Sequence, residues 1–392
     1  MKIKTASRLG EVKEYYFSRK LREIAQLRSQ GIDILNLGIG SPDQMPANSV
    51  LTALENVSRQ SNSHGYQSYI GIPELRQAFT AWYQRHFNVD LDADSEVLPL
   101  IGSKEGIMHI SMTYLEAGDE VLVPDPGYPT YQAASALTGA TTRTYDLTAE
   151  NGWLPDLQAL DALDLSKVKI MWINYPHMPT GTNASLEFFE ELVDFARSNE
   201  ILLCHDNPYA FILNDHPISL FQIEGAKDVS LELNSLSKTF NMAGWRIGML
   251  AGHKDRISEV LRFKSNMDSG MFKPVQMAAV EALSLPDSWY KGMNDIYRTR
   301  RVLAEQLLTN LGCKIDQNQV GMFVWGRIPE DYTSGIHLAD LVLEQARVFI
   351  TPGNIFGENG SRYVRVSLCS SKEDFVEALE RCEQVKMDHV ES

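Results

Sequence analysis

No apolar run in this chain approaches the roughly 18 to 20 residues that a membrane-spanning helix requires. Cysteine is scarce, with four among 392 residues, at the distant positions Cys204, Cys313, Cys369 and Cys382. No CxxC pair and no HExxH segment occurs, so neither a metal site nor a disulfide scaffold is indicated, and reduced thiols are expected. Positive charge is also in deficit. Lys and Arg number 36 against 51 Asp and Glu, a formal net charge of -15, which excludes nucleic acid or an anionic membrane surface as the expected partner. The N-terminus mixes Lys and Arg with Thr, Ser and Glu and lacks an apolar core segment, so no signal peptide is read and a cytoplasmic location is expected.

A chain of 392 residues buries a large core and is expected to divide into two domains. Glu11 to Gln30 has helical spacing and stops at Gly31, a C-cap signal. Gly38-Ile-Gly40-Ser-Pro-Asp is a loop and not a dinucleotide fingerprint, because the third glycine is missing. Beyond it apolar strands alternate with helices. The clearest strands are Glu120 to Pro124, Val168 to Asn174, Ile201 to His205, Val229 to Asn234 and Arg246 to Ala251. This alternation predicts an α/β fold with a mostly parallel sheet sandwiched by helices, and ligands at the carboxyl ends of its strands. Residues 46-279 are expected to form the large domain. Residues 1-45 and 280-392 join in a smaller, discontinuous α/β domain.

Ser235-Leu-Ser-Lys238-Thr-Phe-Asn-Met-Ala-Gly-Trp-Arg246 sets one lysine among hydroxyl residues with an arginine close behind. A buried lysine beside other cations loses its proton more easily and forms an imine with an aldehyde. Hydroxyls and a guanidinium nearby suit a phosphate dianion, a combination that pyridoxal 5'-phosphate (PLP) requires. The apolar run Ile201 to His205 leads directly into Asp206-Asn-Pro-Tyr209. A carboxylate at a buried strand end is costly unless it meets a cation, and the pyridinium nitrogen of PLP is one. By itself such an Asp reads as a helix cap or turn residue; Lys238 reverses that balance. Gly102-Ser103-Lys104-Glu-Gly106 opens a helical pattern, which offers free N–H groups and the positive end of a helix dipole to an anion.

Further motifs fall in order along the chain: Tyr66-Gln-Ser-Tyr-Ile-Gly71-Ile-Pro-Glu-Leu-Arg76, Asp125-Pro-Gly-Tyr128-Pro, Tyr175-Pro-His-Met178-Pro-Thr-Gly181 and Arg362-Tyr-Val-Arg365-Val-Ser. With the segments above, they make a chain that resembles the fold-type-I, PLP-dependent aminotransferases of class I/II, the aspartate aminotransferase superfamily, from about residue 31 to 370. The resemblance implies that Lys238 holds PLP as an internal aldimine and moves the substrate proton. Asp206 then pairs with the ring nitrogen and Tyr209 donates to the phenolate oxygen. Ser103, Lys104, Ser235 and Arg246 hold the phosphate, and Tyr128 stacks on the ring. Ser237 is expected to act only at a remove from the cofactor, and Tyr131 competes with Tyr128 for the stacking position. Tyr66 reaches the phosphate of a neighbouring subunit, which implies a homodimer with shared active sites. Arg365, ahead of its competitor Arg362, takes the substrate carboxylate, with the backbone at Ile39 and Gly40 closing over it.

Met178 departs from the pattern, since the family usually has a donating asparagine there and a thioether cannot donate. Asn174, at a strand end four residues earlier, is a candidate replacement donor, and the Met178 sulfur is expected to pack on the ring edge or the substrate. The expected activity is transfer of an amino group from an L-amino acid to a 2-oxo acid by a ping-pong mechanism. A PLP-dependent β-lyase or decarboxylase uses the same residues and is the alternative. A sensor module of a transcription regulator shares the fold, but the acidic balance disfavours it. The Gly-Ser-Lys-Glu-Gly turn resembles the branch that includes LL-diaminopimelate aminotransferase-like enzymes; the amino donor stays open.

Overall fold

The computed structural model describes residues 3–385, apart from residues 11, 13, 15 and 384. A two-residue strand β1 (Leu35–Asn36) precedes the seven strands of the large sheet. These are β2 (Val97–Leu100), β3 (Glu120–Asp125), β4 (Thr141–Asp146), β5 (Val168–Ile173), β6 (Leu202–Asp206), β7 (Ser230–Ser235) and β8 (Gly248–Gly252). Their spatial order is β2-β8-β7-β6-β5-β3-β4. Pairing is parallel from β7 through to β4, and β8 alone runs antiparallel to both of its neighbours. The sheet is therefore mixed but mostly parallel.

Period-2 alternation along apolar strands feeds two separate cores, one on each face. Val121, Val123, Ile170, Trp172, Cys204, Leu231 and Leu233 enter one cluster. Their neighbours Leu122, Met171, Ile173, Leu203 and Met249 enter the other. A strand buried on both faces has no polar side to expose, which is why these segments read as almost unbroken apolar runs.

The rest of the chain adds β9 (Lys314–Ile315), β10 (Phe323–Arg327), β11 (Val348–Phe349), β12 (Thr351–Pro352) and β13 (Tyr363–Ser367). Strands β12-β13-β10-β9 make a four-stranded antiparallel sheet, and β11 pairs in parallel with β1. That last pairing, Leu35 with Val348, ties the N-terminal segment to the C-terminal elements.

Two expected boundaries shift by two residues or more. The first helix runs Tyr16–Ser29, and Val12 and Glu14 lie outside it; Glu14 instead takes a bidentate ion pair from Arg22. The strand expected from Arg246 begins at Gly248, because Arg246 adopts a left-handed φ of 59° that no strand accommodates. All four cysteines are free and buried. No helix of the described residues is long and apolar enough to cross a membrane.

Candidate active site

The carboxyl ends of β2, β3, β5, β6 and β7 lie along one edge of the sheet, where parallel-sheet proteins place their ligands. A cavity of about 640 Å³ opens there. Its lining includes Ser103, Lys104, Tyr128, Asp206, Tyr209, Ser235, Lys238, Arg246, Arg365, Ile39 and Gly40. Residues more than 300 positions apart in the sequence thus share one space. Tyr66 does not join them. It is 94% exposed and stands outside the cavity.

Lys238 sits on the short helix Leu236–Thr239 that β7 feeds directly. Its Nζ donates to the Gly40 carbonyl at 2.5 Å. Burial, followed by the charges of Arg365 and Arg246, pulls its pKa below the ordinary lysine value. A lysine in that setting gives up its proton more readily than a solvated one, which favours it as a base and a nucleophile.

Asp206 closes β6 and is 4% exposed. Tyr131 donates its hydroxyl to Asp206 Oδ2 at 3.0 Å, while Oδ1 is buried and has no hydrogen-bond partner. Burial pushes the carboxyl up to about 6, against the opposing pull of the Tyr131 bond. A buried carboxylate oxygen without a partner is costly, and a protonated ring nitrogen supplies the donor it lacks. Tyr131 itself stacks on Trp172 at 5.0 Å and meets the Tyr128 ring edge-on at 5.6 Å, and both tyrosines line the cavity. The sequence reading missed this role for Tyr131.

The turn expected to hold the phosphate is defined by glycines. Gly102 has φ +83°, and a Cβ there would lie 2.1 Å from Arg246 Nη2. A Cβ on Gly248 would lie 2.7 Å from the Ser103 amide nitrogen. The two bare backbones let the guanidinium and the N-terminus of helix Ser103–Tyr114 come together at one spot. Ser235 Oγ caps the Lys238 helix by accepting from Ser237 N at 3.2 Å, and Ser237 itself lines the cavity. Gly102→Ala is expected to weaken PLP binding about tenfold or more, since the left-handed strain and the displaced Arg246 act together. Cofactor titration followed by fluorescence checks this; unchanged affinity would remove Arg246 from the phosphate site.

Arg365 lies on β13 inside an aromatic enclosure. Its Cζ is 3.9 Å from the Phe323 ring centre, 4.6 Å from Phe356 and 5.5 Å from Phe17. Its Nη2 donates to the Gly38 carbonyl at 2.8 Å, and its Nη1 to the Met178 sulfur at 3.1 Å. Gly40 must be bare, because a Cβ there would meet Phe323 at 2.5 Å. Arg362, by contrast, is held outside by the Pro329 and Tyr332 carbonyls and by Glu330.

Met178 lines the cavity, and its thioether accepts from Arg365, as the Gly38 carbonyl does. Asn174 lines the same cavity and is engaged on both sides of its amide. Its Nδ2 goes to the Asp206 carbonyl at 2.5 Å and its Oδ1 accepts from Met178 N at 2.8 Å. It braces the backbone of both residues.

The residues present fit PLP: a buried lysine whose pKa is lowered, a buried carboxylate oxygen without a donor, and a turn cleared by glycines beside an arginine. The comparisons agree. Residues 32–381 match the family described as aminotransferase class I and II. The chain is 43% identical to the LL-diaminopimelate aminotransferase of Moorella thermoacetica, over 98% of each. It is 40% identical to the enzyme of the same name from Aquifex aeolicus, over 97% of this chain and 99% of that one. Among solved structures, substrate-bound BacF from Bacillus subtilis shares 34% identity with a TM-score of 0.93, covering 98% of both chains. A lyase or decarboxylase reading finds no such support. The chain belongs to the class I and II aminotransferases of PLP fold type I and is a PLP-dependent transaminase.

Proposed function

We propose that this chain moves the amino group of an L-amino acid to a 2-oxo acid with Lys238 as the proton-transferring base. The unpartnered Oδ1 of buried Asp206 carries this reading. PLP supplies an electron sink when bound. Asp206 keeps the ring nitrogen protonated, and Tyr131 keeps Asp206 oriented. Arg365 grips the α-carboxylate bidentately, which fixes the Cα–H bond relative to Lys238 Nζ. Ile39 and Gly40 close the carboxylate site, with Gly40 shared between Lys238 and Phe323. Tyr209 donates to the ring oxygen, Tyr128 stacks on the ring, and Ser103, Lys104, Ser235 and Arg246 hold the phosphate.

Tyr66 completes the phosphate site of a second copy, so that the working unit is a homodimer. Its 94% exposure, beside exposed Tyr69, Met267 and Phe272, supports a face covered by another chain. The β1–β11 pairing supports grouping residues 1-45 with 280-392 as the smaller domain around 46-279. A cytoplasmic site of action suits the free thiols.

The test is an absorbance spectrum of the PLP-loaded enzyme before and after a panel of L-amino acids. A visible band near ~420 nm that gives way to one near ~330 nm, and returns on adding a 2-oxo acid, is the expected result. Release of ammonia with no return would replace transamination by elimination. Met178→Asn is expected to lower the pH at which the visible band titrates by about one unit, because asparagine restores a donor to the ring oxygen. An unchanged titration would show that Met178 acts on Arg365 alone.

A further inference from the structure

The charged side chains lining the cavity, among the described residues, are Lys104, Asp206, Lys238, Arg246 and Arg365. On the proposed reading, on which this inference rests, each already has a task. Lys104 and Arg246 meet the phosphate, Asp206 the ring nitrogen, Lys238 the reacting carbon and Arg365 the α-carboxylate. Within this lining no cation is left for a second substrate carboxylate and no carboxylate for a second substrate ammonium; Arg8, Glu14, Arg19 and Glu105 line the adjoining cavity instead.

What remains to receive a substrate side chain is uncharged and largely apolar, with Ser18 of helix Tyr16–Ser29 a polar side chain. Phe17 and Leu21, on the same helix, line the cavity with Ile39 and Phe356. Phe17 and Phe356 have ring centres 6.4 Å apart and both flank the Arg365 guanidinium. A carboxylate held bidentately on that guanidinium places the substrate's Cβ about 6 Å from Cζ, in the cavity that both rings line. A charged group brought into such a wall loses its hydration without a partner, whereas an apolar one gains by burial.

We propose that the substrate side-chain pocket of this transaminase, walled by Phe17, Leu21, Ile39 and Phe356, selects amino acids with large apolar or aromatic side chains. This differs from the substrate in the names of the curated relatives, which carries a second ammonium and a second carboxylate.

The experiment compares half-reaction rates of the PLP-loaded enzyme with L-phenylalanine, L-leucine and L-methionine against LL-diaminopimelate, L-lysine and L-glutamate. The apolar group is expected to exceed the charged group by about 100-fold or more in apparent second-order rate. Calorimetry adds a readout independent of turnover. Phenylpropanoate is expected to bind at least about tenfold tighter than 6-aminohexanoate, which shares the carboxylate but ends in an ammonium. Leu21→Glu, at a position 43% exposed and so safe for folding, should narrow the phenylalanine-to-lysine ratio about tenfold. A charged donor as the fastest substrate, equal binding of the two carboxylates, or an unmoved ratio in Leu21→Glu would each overturn the assignment. Should no donor react at all, the transamination reading of the site falls, and the calorimetric pair still decides the class of the pocket.

Discussion

Lys238→Ala is expected to lower transamination by at least about 10⁴-fold while leaving the fold intact. The size follows from what else the cavity contains. Its described lining has no histidine and no glutamate, and its one carboxylate, Asp206, is already bonded to Tyr131 beneath the proposed ring position. No second base stands ready to take the Cα proton. Lys238→Arg should be as damaging, although it keeps the charge, because a guanidinium does not deprotonate in a protein. The two variants together separate charge from proton transfer. Single-turnover kinetics with the fastest donor is the measurement. Activity in Lys238→Arg within tenfold of the parent would contradict the role of the lysine as base.

Asp206→Ala is expected to reduce kcat/KM by about 10³-fold, roughly 4 kcal/mol of lost transition-state stabilisation. A neutral ring nitrogen is a far weaker electron sink, and the only buried carboxylate at the cavity is this one. The same residue gives a pH signature in the cofactor-free protein. Its folded pKa, near 6, lies above the ordinary aspartate value because burial penalises the charge. The folded state therefore holds the proton more tightly than the unfolded chain. Stability from this group is complete below about pH 4 and is lost as pH rises through about 6, a cost that approaches about 3 kcal/mol above that range. Cofactor-free Asp206→Asn should accordingly be more stable than the parent at pH 8 and no more stable at pH 4. Denaturant unfolding at the two pH values checks the sign. Added PLP should reverse the order at pH 8, since the pyridinium rewards the carboxylate alone.

The parts of the site that were legible in the sequence are those that chemistry places at strand ends. Asp206 follows a run too apolar to be anything but a buried strand, and Lys238 follows the next. The two-residue overrun at Arg246 arose because its left-handed backbone carries no sequence mark: arginine is not a residue that advertises positive φ. Tyr131 was visible only as a rival for the stacking position. Its hydroxyl bond to Asp206 spans 75 positions and depends on how helix Pro129–Thr138 is rotated against β6. The enclosure of Arg365 was hidden for the same reason. Phe17, Phe323 and Phe356 come from separate elements, and each reads alone as ordinary core. Met178 stood out as a departure, yet the replacement it makes, a sulfur acceptor for Arg365, requires the distance of 3.1 Å to be seen.

The most direct test of the account is borohydride reduction of the PLP-loaded protein followed by peptide mass mapping. The account predicts one stable pyridoxyl adduct, on the peptide that contains Lys238, and its disappearance when an amino-acid donor is added before the reductant. An adduct on Lys104 or another lysine, or no adduct at all, would contradict it.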